Sequence, residues 1–144
     1  MSNGSKVIKF ACYRWQGIRL NEYKSPGPDF RGVTRQTLMG DGAGEHDVAF
    51  VTRYFEVEPD GYSTLERHCH PHSVVVLRGR GQVILGYDTY DVEPFDCVYV
   101  APGTVHQFRA GAAEPLGFLC TVDRERDRPE PVTRRERPSR TDAT

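Results

Sequence analysis

The sequence predicts an all-β fold, a sandwich or barrel of short strands in a single domain, and three observations carry that expectation. Segments rich in β-branched and aromatic residues recur at roughly ten-residue intervals between Gly/Pro turns. No stretch sustains the 3.6-residue apolar period of an amphipathic helix. With 144 residues, 38% of them hydrophobic and 10% aromatic, the chain can fold around one core.

The elements follow in order. Val7–Tyr13 and Gly32–Leu38 read as strands on either side of the loop Ser25-Pro26-Gly27-Pro28. Asp41 to Glu45 is a further loop, too short for a calcium hand, and residues 1–47 are expected to pack on the barrel as strands and loops. Val48 to Glu58 is the longest strand, closed by Pro59-Asp60-Gly61. Tyr62–His70, Val74–Leu77, Gln82–Tyr87, Tyr90–Val92, Asp96–Val100, Val105–Arg109 and Leu116–Val122 complete a sandwich or barrel, which the family resemblance given below makes a barrel over residues 48–122. After Val122 the chain turns to mixed acidic residues and arginine with little to bury, so residues 123–144 are expected to be a flexible charged tail.

A formal net charge of -1 gives no electrostatic reason to expect nucleic acid or an anionic membrane as partner, and the small-molecule partner expected below rests on a family resemblance. Met1 to Phe10 lacks the apolar run of a signal peptide, so a cytoplasmic protein is expected. Cys12, Cys69, Cys97 and Cys120 form no C-x-x-C pair and are expected as free thiols, most of them buried.

Four of the five histidines fall in two places: Glu66-Arg67-His68-Cys69-His70-Pro71-His72, and Val105-His106 just after Pro102-Gly103. Side chains two apart in an extended chain share a face, so His68 and His70 can meet one ion, and His72 can return to it beyond the bend at Pro71. One H-x-H is often only a pair of surface histidines. Three alternating histidines leave clustered ring nitrogens in need of partners, and a divalent metal is the expected partner. His46, in a Gly-rich acidic loop, is expected in solvent. Glu66 shares parity with His68 and is the nearest candidate acid or base. It reads equally as a charged residue at the barrel mouth.

These residues resemble the motifs of the cupin superfamily. Gly61, His68, His70 and Gly79 fit the first motif, with His72 in the place of its glutamate ligand, and Gly103 and His106 fit the second. Ala101 and Ala110 depart from it. The resemblance implies an antiparallel double-stranded β-helix, or jelly roll, holding one divalent ion on His68, His70, His72 and His106 inside a cavity that Phe108 lines. Zinc is the ion expected, with iron, manganese or nickel also compatible with imidazole. Pairing of edge strands implies a homodimer.

The four-histidine set, the single short domain and the aromatic-rich body are also similar to the small cupins that act as aromatic polyketide cyclases of the resistomycin type. That resemblance implies aldol closure and dehydration of a poly-β-keto intermediate in antibiotic biosynthesis, with the ion as Lewis acid and Glu66 as a candidate base. An iron dioxygenase or isomerase, and a non-catalytic ligand-binding cupin, are the alternatives.

Overall fold

The computed structural model describes residues 4–25, 27–41, 45 and 48–133. His46 and the tail beyond Thr133 lie outside the described residues. Thirteen strands and no helix occur in the described residues: β1 (Phe10–Ala11), β2 (Arg14–Trp15), β3 (Leu20–Glu22), β4 (Arg31–Met39), β5 (Phe50–Tyr62), β6 (Glu66–Arg67), β7 (His72–Arg78), β8 (Gly81–Leu85), β9 (Asp88–Val92), β10 (Cys97–Val100), β11 (His106–Ala110), β12 (Leu116–Asp123) and β13 (Glu130–Pro131). No helix is long and apolar enough to cross a membrane.

One antiparallel sheet curls into two facing layers. The first runs β3-β4-β5-β12-β7-β10, and the second is built from β9, β8, β11, β6 and β13. Strand β5 joins them: its first part pairs with β4 and β12, and its last residue, Tyr62, pairs with Arg109 of β11. Between the layers lies the core, in which Val51, Phe55 and Val57 of β5 meet Val74 and Val76 of β7, Phe118 and Cys120 of β12 and Phe108 of β11. Alternation explains the set, because residues two apart on a strand share a face.

Three of the expected strands differ from expectation. Val7–Tyr13 is not one strand: only Phe10–Ala11 is paired, and the chain turns at Cys12 and Tyr13 into β2. Strand β5 does not stop at Glu58 but continues through Pro59-Asp60-Gly61, where Asp60 takes a φ of 62°. The expected turn is therefore an irregularity inside a long strand. Tyr62–His70 is not one strand: Tyr62 ends β5, and beyond it only Glu66–Arg67 is a strand. Ser63 leaves the ladder to accept the Phe108 N–H on its hydroxyl at 2.9 Å, while its carbonyl takes the Gln107 amide at 2.9 Å.

The outer face of β5 is covered as well. The β1–β2 hairpin lays Tyr13 and Trp15 on Tyr54, with ring centroids 6.0 and 5.0 Å apart. Tyr54 is only 1% exposed although it points away from the core, and its hydroxyl donates to Glu56 at 2.8 Å. Gly117 is required here, because a Cβ would lie 2.0 Å from that hydroxyl.

The residues after β12 do not form the loose tail expected of their composition as far as Thr133. Strand β13 pairs with β6, Val132 donates its N–H to Leu65, and the Val132 side chain is buried. Main-chain and carboxylate bonds, with the single buried side chain of Val132, hold this stretch in place.

Candidate metal centre

The two histidine segments meet at one end of the barrel. Gly103, in the turn before β11, donates its N–H to the His68 carbonyl at 2.8 Å, and His106 stands opposite Glu66 in the β6–β11 register. Each contact spans more than thirty residues of chain, so the turn before His106 sets the position of His68 directly.

The rings of His68, His70, His72 and His106 cluster, with centroids of neighbouring pairs 3.7 to 5.4 Å apart. Ligand atoms of His68, His72 and His106 all lie within 4.8 Å of one another. The Nδ1 of His68 lies 2.6 Å from the His70 carbonyl, and that of His106 lies 2.8 Å from the Thr104 carbonyl. A carbonyl only accepts, so both Nδ1 atoms carry the proton and both Nε2 atoms keep a lone pair. The Nε2 atoms of His68 and His72 are buried and have no hydrogen-bond partner among the described residues. Two buried ring nitrogens without partners, on residues whose ligand atoms lie within reach of one ion, are costly unless something satisfies both, and a divalent cation would do so.

The same burial favours the neutral imidazole at His68, His72 and His106. His68 is pushed down to about 4 by burial and by the neighbouring His106 and His70. Burial is also the main cause lowering His72 and His106. A neutral ring is the ligand form, so these residues are prepared for a metal at ordinary pH.

His70 stands apart from the other three. Its ligand atom is not in the convergent set. Its ring stacks on His68 at 3.7 Å, and its Nδ1 donates to the Asp127 carboxylate at 2.8 Å. The chain bends at Cys69 and His70 before Pro71, so the strand alternation that would have aimed His70 beside His68 is broken. Asp127 also accepts the N–H groups of Cys69 at 2.7 Å and His70 at 3.0 Å. These bonds hold the Asp127 carboxyl well below the usual carboxylate range. His72, which replaces the family glutamate, belongs to the convergent set.

A cavity of about 230 Å³ opens beside the imidazoles. Phe55, Phe108 and Phe118 form an aromatic wall, with Phe108 and Phe118 stacked at 4.3 Å. Glu66 lines the cavity and is paired with Lys24 at 2.5 Å, next to Tyr23. Burial, and then the Glu66 charge, raise the Tyr23 hydroxyl above its usual range. Cys120 is buried against the cavity, with Sγ 3.2 Å from His72 Nδ1 and 3.7 Å from Arg53 Nη2. Cys12, Cys69 and Cys97 are exposed, contrary to the expectation that most thiols would be buried. Arg35, Arg53 and Arg126 line the cavity too. Sequence parity pairs Arg53 with Phe55 and Cys120 with Phe118, a signal that could have located both, whereas nothing in the sequence marks Asp127.

A curled antiparallel jelly roll with histidines from two motifs gathered at one end defines a cupin. The chain belongs to the cupin family: the family's "Cupin domain" model matches residues 53–122. It is 49% identical to a 1-methylthio-D-xylulose 5-phosphate methylsulfurylase of Rhodospirillum rubrum over 82% of this chain and 74% of that one. A cupin 2 conserved barrel domain protein from Rhodopseudomonas palustris is 43% identical, with a TM-score of 0.82 over 92% of this chain and 89% of the other. The polyketide cyclase RemF from Streptomyces resistomycificus is 25% identical, with a TM-score of 0.71 over 85% and 84%.

Proposed function

We propose that this protein is a metal-dependent enzyme that removes the methylsulfanyl group from a phosphorylated ketose. One observation carries the reading: a thiol, Cys120, stands in the same cavity as the convergent imidazoles and 3.2 Å from one of them. The likeness to the Rhodospirillum rubrum methylsulfurylase supports it.

His68, His72 and His106 would hold one divalent ion, zinc being sufficient, which when bound supplies Lewis-acid stabilisation to a ketone oxygen. If His72 offers Nε2 to the ion, its Nδ1–H points at Cys120 Sγ. That donor and the Arg53 guanidinium favour the thiolate, against the burial that pushes the thiol up. The Cys120 sulfur bonds to the methyl-bearing sulfur, the bond from that sulfur to the ketose carbon breaks, and the electron pair passes through that carbon to the ketone oxygen. The carbon then takes a proton, for which the Tyr23, Lys24 and Glu66 group is the nearby source. A small thiol must release the methyl disulfide left on Cys120. The aromatic wall excludes water while the carbon is unprotonated.

The test uses intact-protein mass after incubation with a 1-methylthio ketose 5-phosphate and no added thiol. The native protein is expected to gain one CH3S group in place of hydrogen, and Cys120→Ser none. Metal content is expected to collapse in His72→Ala and to survive better in His70→Ala. A native protein that neither gains the group nor releases the dethiolated ketose would end this reading. A second reading, aldol closure of a poly-β-keto chain, is favoured by the stacked Phe108–Phe118 wall and the likeness to RemF. Cyclised product from the zinc-loaded protein with oxygen excluded, and no action on the ketose phosphate, would put it first.

A further inference from the structure

We propose that Arg35, Arg53 and Arg126 form a subsite for a phosphate monoester within this cavity; the assignment rests on the reading of the substrate as a phosphorylated ketose. Three separate elements supply the three guanidinium groups. Arg35 comes from β4 and Arg53 from β5, where the register sets Arg35 opposite Phe55 and Arg53 opposite Thr37. The two arginines are therefore diagonal neighbours on the inward face. Arg126 follows β12, and its Nη1 is held by the carbonyls of Asp123 and Arg124 at 3.1 and 3.2 Å.

Their partners set them apart from the other cations. Lys24 pairs with Glu66, Arg78 with Glu56 and Arg80 with Glu93. Among the described residues no carboxylate forms an ion pair with Arg35, Arg53 or Arg126. The Nε atoms of Arg35 and Arg53 are buried without a partner. Arg126 is exposed over part of its surface, yet partial desolvation and the Arg53 charge push its guanidinium below its usual range, with Arg35 adding to the effect and Asp41 and Cys120 opposing it. Like charges facing one another in a partly closed cavity, with donors unmet, are unfavourable unless an anion joins them.

A phosphate monoester fits that demand. It is doubly charged near neutral pH, and its oxygens match the planar donor fork of arginine. Arg53 also reaches Cys120, so the anion site adjoins the thiol instead of occupying a remote surface. A five-carbon ketose carrying sulfur at one end and phosphate at the other would thus span from the imidazoles to the arginines.

Calorimetry on the full chain tests the assignment without requiring turnover. The probes are a ketose 5-phosphate that lacks the methylsulfanyl group and the same ketose without phosphate. Arg35→Gln and Arg126→Gln are each expected to weaken the phosphorylated probe about 10- to 100-fold and leave the neutral one unchanged. Arg35→Lys, which keeps the charge but loses the fork, should recover part of the loss. Thermal midpoints establish that each variant is folded. In turnover the same variants should raise KM with kcat preserved. Equal binding of both probes by the native protein, or native affinity for the phosphorylated probe in folded Gln variants, overturns the subsite. If the phosphorylated probe binds and the Gln variants lose it, yet no CH3S group is ever transferred, the subsite stands and the reaction assigned above falls.

Discussion

The two arms that flank the barrel are attached by different physics. The N-terminal hairpin is held by rings: Phe10 on Trp15 at 5.1 Å, and Tyr13 and Trp15 on Tyr54, with the Arg78 guanidinium over Tyr13 at 4.3 Å. The segment from Arg124 to Thr133 is held by directional polar bonds, namely Asp127 on Cys69 and His70, Glu130 on Arg67, and Val132 on Leu65. The hairpin lies on the outer face of β5, away from the histidines, whereas the later segment lies against them. Apolar burial is strong and tolerant of small shifts; carboxylate bonds contribute less but fix orientation. The molecule thus uses rings for stability at its back and oriented charge where ligand atoms must be aimed.

Removing the ring platform should have the largest effect. Tyr54→Ala is expected to cost about 3–5 kcal/mol of stability, as for other large aromatic truncations in buried sites. Urea unfolding measures it, and metal stoichiometry of the folded fraction should be unchanged. A loss below about 1 kcal/mol would show that the hairpin contributes little.

Acid should act through the other side. Without metal, the folded protein holds His68 neutral down to about 4, while the unfolded chain takes up protons near 6.5. The unfolded state therefore binds more protons in this window, and stability is full above 6.5 and falls as pH drops toward 4. The fluorescence of Trp15 in urea should give lower midpoints at pH 5 than at pH 7.5. A flat profile would mean that the imidazoles are not buried as described.

Asp127→Ala should have a smaller effect on stability but a clear one on the site. Asp127 fixes the main chain at His70, whose carbonyl in turn orients His68. Metal affinity is expected to fall about 10-fold, measured by competition with a chelator, with little change in thermal midpoint. Native affinity would show that the bend at Pro71 alone sets the ring.

The strand pattern was legible because alternation and turn residues are local signals. Val74, Val76, Phe55 and Phe118 fall in the core as their parity requires. The histidine cluster was legible from spacing as well, yet its internal ranking was not. His72 stands in the convergent set and His70 outside it, because a bend two residues long replaces the extended chain on which spacing arguments rest. Asp127 was illegible for a related reason. It lies in a stretch with Val132 as its one β-branched apolar residue, and two of its three bonds go to main-chain N–H groups that every residue type but proline carries. Arg35, Arg53 and Arg126 are ordinary strand or tail cations in the sequence, and only the pairing of β4 and β12 with β5, over long stretches of chain, brings them to one place.

Strand β12 lies between β5 and β7, and both pair with it along most of its length. Among the described residues it is also the last strand longer than two residues. Strands made earlier must wait with two open edges until Leu116–Asp123 has left the ribosome, since neither neighbour can take the other's place without losing register. Folding is therefore gated late, and a chain truncated before β12 should present unpaired, valine-rich edges and self-associate.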